Sequence, residues 1–412
     1  MAKNVKKGKI VACLDMGTTK LVCLIAAINN NDDIKIVGYG HKESKGISDS
    51  AISDMKLAQR AITNVVSEAE RMAGFNIDRV VIGISGSQVS STRKEVSVKI
   101  ASDIVKASDI ANLANKIRSD FKKNNREIIH LIPLQYRIDD SSPVVNPRYM
   151  SGERLYARFH VVSTSQTTIR NIENCLRRCQ LSANNYVVEP HASMLSCLNE
   201  GEVNLGTLLI DVGGSSTSFS ITLDDKLSYV GNSQIGGMHV TKDIATILNI
   251  SFDAAEKIKN LNSSLLISPI EERELINLKA SMPNDGPGMI RISRAELRDI
   301  VKSRIEEIFE SVRLNLEKAN VPLYLLSNIV LTGGVTSTVG IDKVASEIFG
   351  KNVRIGYPNK FNNVASEILN PAHACCLGML IFLRNMYLKE KIKDDFESKS
   401  SWFRKLIDRL AS

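Results

Sequence analysis

Thr207-Leu208-Leu209-Ile210-Asp211-Val212-Gly213-Gly214-Ser215-Ser216-Thr217-Ser218-Phe219-Ser220-Ile221-Thr222-Leu223 decides the fold. An apolar run comes first, then a glycine turn, then an alternating run. That is the pattern of strand, tight turn, strand. The turn has no bulky side chain to screen its backbone N–H groups, so it can wrap a phosphate. An aspartate at the end of the first strand can orient a metal ion or a water. On its own this is ordinary hairpin chemistry. The chain, however, carries nearly the same statement twice.

The other copy is at the start of the chain. Lys9-Ile10-Val11-Ala12-Cys13-Leu14 runs into Asp15; Met16-Gly17-Thr18-Thr19-Lys20 is the turn; Leu21-Val22-Cys23-Leu24-Ile25-Ala26 is the returning strand. A third strand follows each copy, at 33–38 and at Lys226–Ser233, so 9–38 mirrors 207–233. Two related units, each with an Asp and a Gly/hydroxyl turn, predict two like-folded domains facing one nucleotide. Asp15 and Asp211 would then flank a hydrated Mg²⁺, which keeps most of its waters and takes few carboxylates.

Composition sets the bounds. The 412 residues, 43% of them hydrophobic, are enough for two or more domains with real cores. The net charge of +8 allows a nucleic-acid partner. The basic residues are dispersed, however, with no aromatic-interleaved patch, so none is expected. Lys3, Lys6, Lys7 and Lys9 read as a solvated tail, with anionic lipid the other partner to consider. The seven cysteines form no CxxC pair and read as reduced, small buried hydrophobes. The six histidines have no ligand spacing. No apolar run approaches the ~20 residues of a membrane span, and no h-region follows the early lysines, so no signal peptide is expected.

Along the chain, a helix is expected over 51–73 and a strand over Arg79–Ser85. Residues 84–161 read as an inserted α+β unit: hairpin strands in Val89–Ile100, a helix over 108–123, a strand over Glu127–Ile138 interrupted by Pro133, and a strand over Tyr156–Ser163. The helix Thr167–Cys179 resumes the main domain, and Glu189-Pro190 opens another. Ser293 and Glu296 form a capping box for a long helix to about 319. Asn328-Ile329-Val330-Leu331 is a buried-type strand ending in Thr332-Gly333-Gly334, where glycine lets backbone approach a ligand closely; an ordinary strand-to-helix turn would read the same. Pro371–Leu383 is an apolar helix with small residues at Ala372, Ala374 and Gly378, suited to close packing.

The end of the chain has its own character. Residues 385–400 are a charged linker or solvated helix end. After them, Trp402, Phe403, Leu406, Ile407 and Leu410 share one helical face, with Arg404, Lys405, Asp408 and Arg409 on the other. That pattern predicts an interfacial helix at 401–412, with apolar groups in the acyl boundary and cations at the headgroups; docking on the protein's own body is the competing reading. Each buried large apolar side chain contributes ~1.5–3 kcal/mol, but a helix this short is marginal in water. One tail should bind lipid weakly, and several on one assembly firmly, so the tail points to self-association.

These motifs resemble the actin, Hsp70 and sugar-kinase superfamily, in the phosphate turns Leu14–Lys20 and Asp211–Ser216 and in the adenosine turn Leu331-Thr332-Gly333-Gly334. More specifically, the chain resembles the FtsA family of bacterial cell-division proteins. The match rests on Gly236-Gly237 with Val240-Thr241-Lys242-Asp243-Ile244-Ala245, Ala255-Glu256-Lys257-Ile258-Lys259, His130-Leu131-Ile132-Pro133 with Tyr136, Ile138 and Asp139, Met150-Ser151-Gly152-Glu153-Arg154-Leu155, and the terminal Trp402-Phe403 helix. It covers 9–383 and 401–410.

The resemblance implies an α/β, actin-like two-domain ATPase fold with an inserted α+β subdomain and a C-terminal amphipathic helix. Subdomain 1A would be 9–83 and 162–205, completed by helix 371–384. The insert 1C would be 84–161, 2A would be 206–245 and 323–370, and 2B would be 246–322. ATP would lie between the halves: Asp15, Gly17, Thr18, Thr19 and Lys20 on one side of the phosphates, Gly213, Gly214 and Ser215 on the other. Gly333, Gly334 and Val335 would pack at the adenosine, and Glu256 and Lys259 at ribose and base. Asp15 and Asp211 would hold Mg²⁺ through water; Asp211, with Glu189 orienting a water, is the catalytic candidate for an activity that is weak at best. Trp402, Phe403, Arg404, Lys405, Leu406, Ile407, Arg409 and Leu410 would bind an anionic membrane. The implied partners are FtsZ through its C-terminal peptide at 2B, later division proteins at 1C, and further copies of the chain in a filament, at the cytoplasmic face of the membrane at the septum. Departures from the family pattern are Val335 in place of a third small residue, Gly-Gly-Ser-Ser in the second phosphate turn, and His373 where an aromatic is usual. A small-molecule kinase and a pilus-assembly scaffold are the alternatives. A kinase needs no lipid-binding tail and should show a catalytic Asp in a substrate cleft.

Overall fold

A computed structural model of the chain describes residues 8–29, 31–282, 286–358, 361 and 364–391. Its frame is one sheet plan used twice. In the first sheet, β1 (Lys9–Met16), β2 (Lys20–Ile28) and β3 (Ile34–Glu43) form an antiparallel meander. A small hairpin, β4 (Ile47–Ser48) and β5 (Ala51–Ile52), leads to helix α1 (Met55–Ala73) and strand β6 (Arg79–Ile84), which lies parallel to β1. The expected helix from 51 thus begins at Met55. Ala51 and Ile52 pair with Ser48 and Ile47, and the Asp54 carboxylate caps the helix by accepting from the Lys56 and Leu57 N–H groups at 2.9 Å. Gly74 ends it in the left-handed region, at φ 80°.

The chain then leaves the sheet. Strand β7 (Ser90–Lys99), helix α2 (Ala107–Lys123), β8 (Arg126–Ile138) and β9 (Arg154–Ser165) make a three-stranded antiparallel sheet in the order β7-β9-β8 with one helix. The expected hairpin in 89–100 is therefore a single strand, whose partner is the distant β9. Strand β8 does not break at Pro133; its register with β9 shifts at Ile128/His130 and at Pro133/Gln135, so bulges absorb the irregularity. β9 runs to Ser165, past the expected edge of the insert at 161. Helix α3 (Gln166–Arg178) and β10 (Ser182–Val188) return to the first sheet, completing the order β10-β6-β1-β2-β3. Helices α4 (Glu189–Cys197) and α5 (Glu200–Asn204) follow.

The second sheet repeats the plan. β11 (Thr207–Val212), β12 (Thr217–Leu223) and β13 (Lys226–Ser233) are the meander. Helices α6 (Gly237–Leu248) and α7 (Phe252–Asn262), the hairpin β14 (Leu275–Met282) and β15 (Gly286–Ser293), and the long α8 (Arg294–Lys318) lead to β16 (Asn328–Thr332), parallel to β11. The Ser293–Glu296 capping box of α8 forms in both directions. Helix α9 (Ile341–Phe349) and β17 (Val353–Ile355) complete the order β13-β12-β11-β16-β17.

The last described helix, α10 (374–391), follows a 3₁₀ turn at Pro371–His373. It extends beyond the expected end at 384, so 385–391 of the expected linker are helical; 392–400 and the whole amphipathic stretch 401–412 lie outside the described residues. Cys375, Cys376, Leu377, Met379, Leu380, Ile381 and Leu383 pack on Val11, Cys13, Val22, Leu24 and Val81, one face of the first sheet. The other face holds α1 and α3 through Ile62, Val65, Ala69, Ile172 and Leu176. A Cβ on Gly378 would overlap the Ala192 carbonyl, so only glycine lets α10 lie this close to α4. Six cysteines are buried, Cys179 is partly so, and all seven are free thiols. Among the described residues no helix is long and apolar enough to cross a membrane, and no cluster of His, Cys, Asp and Glu is arranged to hold a metal ion.

Candidate functional site: a cleft between two phosphate-type turns

The two turns match in pairing register. Met16 pairs with Leu21 and Val212 with Thr217, so Gly17-Thr18-Thr19-Lys20 and Gly213-Gly214-Ser215-Ser216 each span four residues. A Cβ on Gly17 would sit 2.9 Å from the Lys20 carbonyl oxygen, and one on Gly213 3.0 Å from that of Ser216. Both are closer than ordinary carbon–oxygen contact, so the first glycine of each turn is dictated by the turn itself. The turns face one another: the Thr18 and Ser215 hydroxyls are 2.7 Å apart. At the second position a Cβ on Gly214 would collide with the Thr19 side chain.

Every cleft residue expected from the sequence lines a single cavity of about 320 Å³: Asp15, Gly17, Thr18, Thr19, Lys20, Glu189, Asp211, Gly213, Gly214, Ser215, Glu256, Lys259, Gly333, Gly334 and Val335. The cavity opens at the C-terminal ends of the parallel strands β1, β6, β11 and β16, the usual ligand position in open α/β sheets. Helix α6 starts against the second turn, with the Gly237 N–H donating to the Gly213 carbonyl at 2.9 Å and the Met238 N–H to the Gly214 carbonyl at 2.7 Å. A Cβ on Gly236 would stand 2.7 Å from the Gly213 and Gly214 oxygens and 2.8 Å from the Ser216 nitrogen.

Three carboxyl groups line the cleft, and the Lys20 charge acts on two of them, Asp15 and Asp211. Withdrawal from water pushes Asp15 up to about 6; Lys20 opposes that rise and Asp211 adds to it. Withdrawal from water likewise raises Asp211, against its bond from the Ser193 hydroxyl (2.7 Å) and the Lys20 charge. Glu189, the first residue of α4, goes up to about 8 for the same reason, with Asp15 adding to the rise and Ser85 and Ser50 opposing it. Lys20 itself donates to the Ala372 carbonyl. Carboxylates raised in this way lack cations, which is the chemistry of a site completed by an added cation. Where the cation is Mg²⁺, Asp15 and Asp211 fit it through water, and the glycine cradles fit the phosphates.

On the far wall, the Glu256 and Lys259 side chains pair at 2.7 Å, and Lys259 also donates to Thr241 Oγ1 at 2.8 Å and to the Gly237 carbonyl at 3.2 Å. The Thr241 hydroxyl donates to Glu256. Burial works against the Glu256 charge, but these donors outweigh it and hold its pKa below the usual carboxylate range. Gly333 adopts φ 93°, and a Cβ there would be 2.5 Å from Asp211 Oδ1. Its N–H donates to the Pro371 carbonyl at 3.2 Å, tying this turn to the start of α10. Val335 stands against Gly237, where a Cβ would be 2.6 Å from Val335 Cγ2; a larger residue at 335 is matched by a missing one at 237. His373 is buried and meets Tyr39 and His41 edge-on, so it fills an aromatic role.

Sequence reasoning missed Ser50, Ser85 and Met238 in the cavity wall, and Ser193 as the partner of Asp211. Ser193 was legible in principle, because it lies four residues after Glu189 and so on the same helical face. Ser50 and Ser85 carried no signal, since a lone serine in a loop has no pattern.

Two halves with matching sheets, a cleft between their turns and an inserted unit define an actin-like protein. The structural neighbours agree. The chain superimposes on the PilM-PilN type IV pilus biogenesis complex with a TM-score of 0.65 at 17% identity, over 90% of this chain and 97% of that one. It superimposes on MreB5 of Spiroplasma citri, a structure bound to ADP, with a TM-score of 0.55 at 16% identity, over 94% and 98%. In sequence, the family model "Cell division protein FtsA" matches residues 208–378 and "SHS2 domain inserted in FTSA" matches 86–163. Cell division protein FtsA of Agrobacterium fabrum is 31% identical over 387 residues, covering 92% of this chain and 87% of the relative. That of Borreliella burgdorferi is 30% identical over 412 residues, covering 96% and 98%. The chain belongs to the FtsA family of cell-division proteins.

Proposed function

We propose that the chain is an ATP-binding, filament-forming adaptor that tethers the FtsZ ring to the cytoplasmic face of the membrane at the division septum and recruits later division proteins. The observation that carries the nucleotide part is the pair of four-residue turns facing each other at 2.7 Å with Asp15 and Asp211 behind them. Backbone N–H groups of both turns would cradle the phosphates, and Mg²⁺ bound through water would supply the positive charge that three carboxyl groups and one lysine leave wanting. Glu256 and Lys259 would meet ribose and base. Glu189 and Asp211 would orient a water for a slow hydrolysis, with occupancy rather than turnover setting assembly.

Membership of the FtsA family supports the partner assignments: the insert 1C for later division proteins, 2B for the C-terminal peptide of FtsZ. The anchor rests on the sequence pattern of 401–412 alone. A fluorescent ATP analogue titrated with Mg²⁺ or EDTA tests the cleft: Asp211→Ala is expected to weaken Mg-dependent affinity at least tenfold, and wild-type affinity in that variant would remove Asp211 from the site. Deletion of 401–412 is expected to abolish sedimentation with phosphatidylglycerol vesicles and to leave nucleotide affinity intact; sedimentation by the shortened chain would end the anchor assignment. Electron microscopy on an anionic lipid monolayer with ATP tests the filament.

A further inference from the structure

The turn between β4 and β5 places Asp49 and Ser50 at φ 50° and 54°, two successive non-glycine residues in the left-handed region. This is the two-residue type I′ geometry that antiparallel hairpins favour, and here its side chains are tied to both halves. From the first half, the Asp49 carboxylate accepts from the Ser87 N–H at 3.0 Å and the Ser87 hydroxyl at 2.5 Å. Gly86, at φ 89°, has no Cβ because one would collide with the Asp49 carbonyl. From the second half, across the cleft, the exposed Gln234 amide donates to the other Asp49 oxygen at 3.2 Å.

Gln234 directly follows β13, and two residues further on come Gly236 and Gly237, the residues that seat α6 on the Gly213-Gly214 turn. On the other side of the corner, the buried Ser50 hydroxyl lies 2.5 Å from Ser85 Oγ and donates to Glu189 Oε1 at 3.3 Å. A serine hydroxyl has one proton, so when Ser50 donates to Glu189, Ser85 must donate to Ser50. A continuous path therefore runs from the second turn through Gln234, Asp49 and Ser50 to the Glu189 carboxyl.

We propose that the Asp49-Ser50 corner is a closure-sensing strap: Gln234 reports to Asp49 that the halves have closed on a nucleoside triphosphate, and Ser50 sets the Glu189 carboxyl in place in response. Ser50 is a positioning residue acting through Glu189. The corner suits the task because adjacent side chains in it bond in different directions: Asp49 to Gln234 across the cleft, and Ser50 to Ser85 and Glu189 within it. The strap rests on the nucleotide reading of the cleft above.

The test uses the full chain, a non-hydrolysable ATP analogue and ADP, each with Mg²⁺. Hydrogen exchange of 44–52 is expected to slow with the ATP analogue in the wild type. Gln234→Ala is expected to lose about tenfold of that protection, the scale of one hydrogen bond to a charged group, with analogue affinity changed less than threefold. Ser50→Ala is expected to cut the preference for the ATP analogue over ADP about fivefold, and Ser50→Asn, which accepts the left-handed backbone and keeps a donor, to restore part of it. Wild-type protection in Gln234→Ala, or an unchanged preference in Ser50→Ala, overturns the strap while the cleft reading stands. Failure of the wild type to bind either nucleotide overturns the cleft reading, and the strap with it.

Discussion

The two turns at the cleft share length, register and first glycine, yet they are held in place by different means. The second turn is nearly bare of side chains and is braced from behind by backbone: Gly236, the Gly237 and Met238 N–H groups and the start of α6. The first turn carries bulk and charge. Thr18 and Thr19 reach toward the second turn, Lys20 reaches to Ala372, and the Ser44 N–H holds the Thr19 carbonyl at 3.1 Å. The two halves therefore share the backbone cradle while their side chains differ, so that one half fills the space the other leaves. The larger decorations differ too. The first half takes its insert between β6 and α3, whereas the second takes its extra elements between α6 and α8. Both positions lie on crossovers between parallel strands, where added chain leaves the sheet intact.

The first half also owns the two helices at the junction, and that is where the comparison breaks most easily. Gly378→Ala places a Cβ inside the Ala192 carbonyl, and α10 has to move off α4. The expected loss is about 3 kcal/mol, the upper range for overpacking, read from urea midpoints. A wild-type midpoint would mean that the helices are not held in contact.

Gly236→Ala tests the backbone bracing of the second turn. The added carbon meets three backbone atoms at 2.7–2.8 Å, none of which can swing away. The expected cost is about 2 kcal/mol, together with weakened nucleotide affinity. Gly214→Ala meets only the Thr19 side chain, so its cost should be smaller and should shrink further in combination with Thr19→Ser.

Glu189→Gln tests the excess of carboxyl groups on the first side. The Glu189 pKa stands at about 8 in the fold against an ordinary 4.5. Between those values the folded state holds a proton that the unfolded chain has released, so the stability that this group permits falls as pH rises and is lost through pH 8. The nucleotide-free wild type should therefore lose stability from pH 6.5 to 8.5, by roughly 1–2 kcal/mol, and Glu189→Gln should flatten that slope. The window stops at 6.5 because the buried His130, His160 and His191 have lowered pKa values and act in the opposite sense: their stability is present above the unfolded value and is lost as pH falls below it. An unchanged slope in the variant would put Glu189 in water.

The smallest effect belongs to the hydroxyl pair across the cleft. Thr18→Val removes the 2.7 Å contact with Ser215 at nearly constant volume, and about 0.5–1.5 kcal/mol of closure should go with it. Ser215→Ala should cost the same, and the double variant no more than either alone. Additive losses would show that the two hydroxyls act separately.

Much of this site was legible in the chain because its signals are local. A strand of apolar residues ending in Asp, followed by a turn that only glycine can make, is written in consecutive positions, and it is written twice. The Ser293–Glu296 box was legible for the same reason: it is a backbone requirement met within one turn of helix. The readings that changed concern pairing between distant segments. Whether 89–100 folds back on itself or pairs with 154–163 depends on which partner is near, and alternation looks the same in either case. The 51–52 stretch joined a hairpin because Ile47-Ser48 lay opposite it.

The sequence by itself determined the two cradles, the placement of Asp15 and Asp211 behind them, and the long helices with their caps, because each follows from side-chain size and backbone freedom over a few residues. Only the tertiary structure decided that Thr18 meets Ser215, that Ser193 holds Asp211, and that Gln234 reaches Asp49 on the hairpin corner beside Glu189. Those contacts join residues far apart in the chain, and a hydrogen bond between two short polar side chains leaves no periodicity in the sequence from which it could be read.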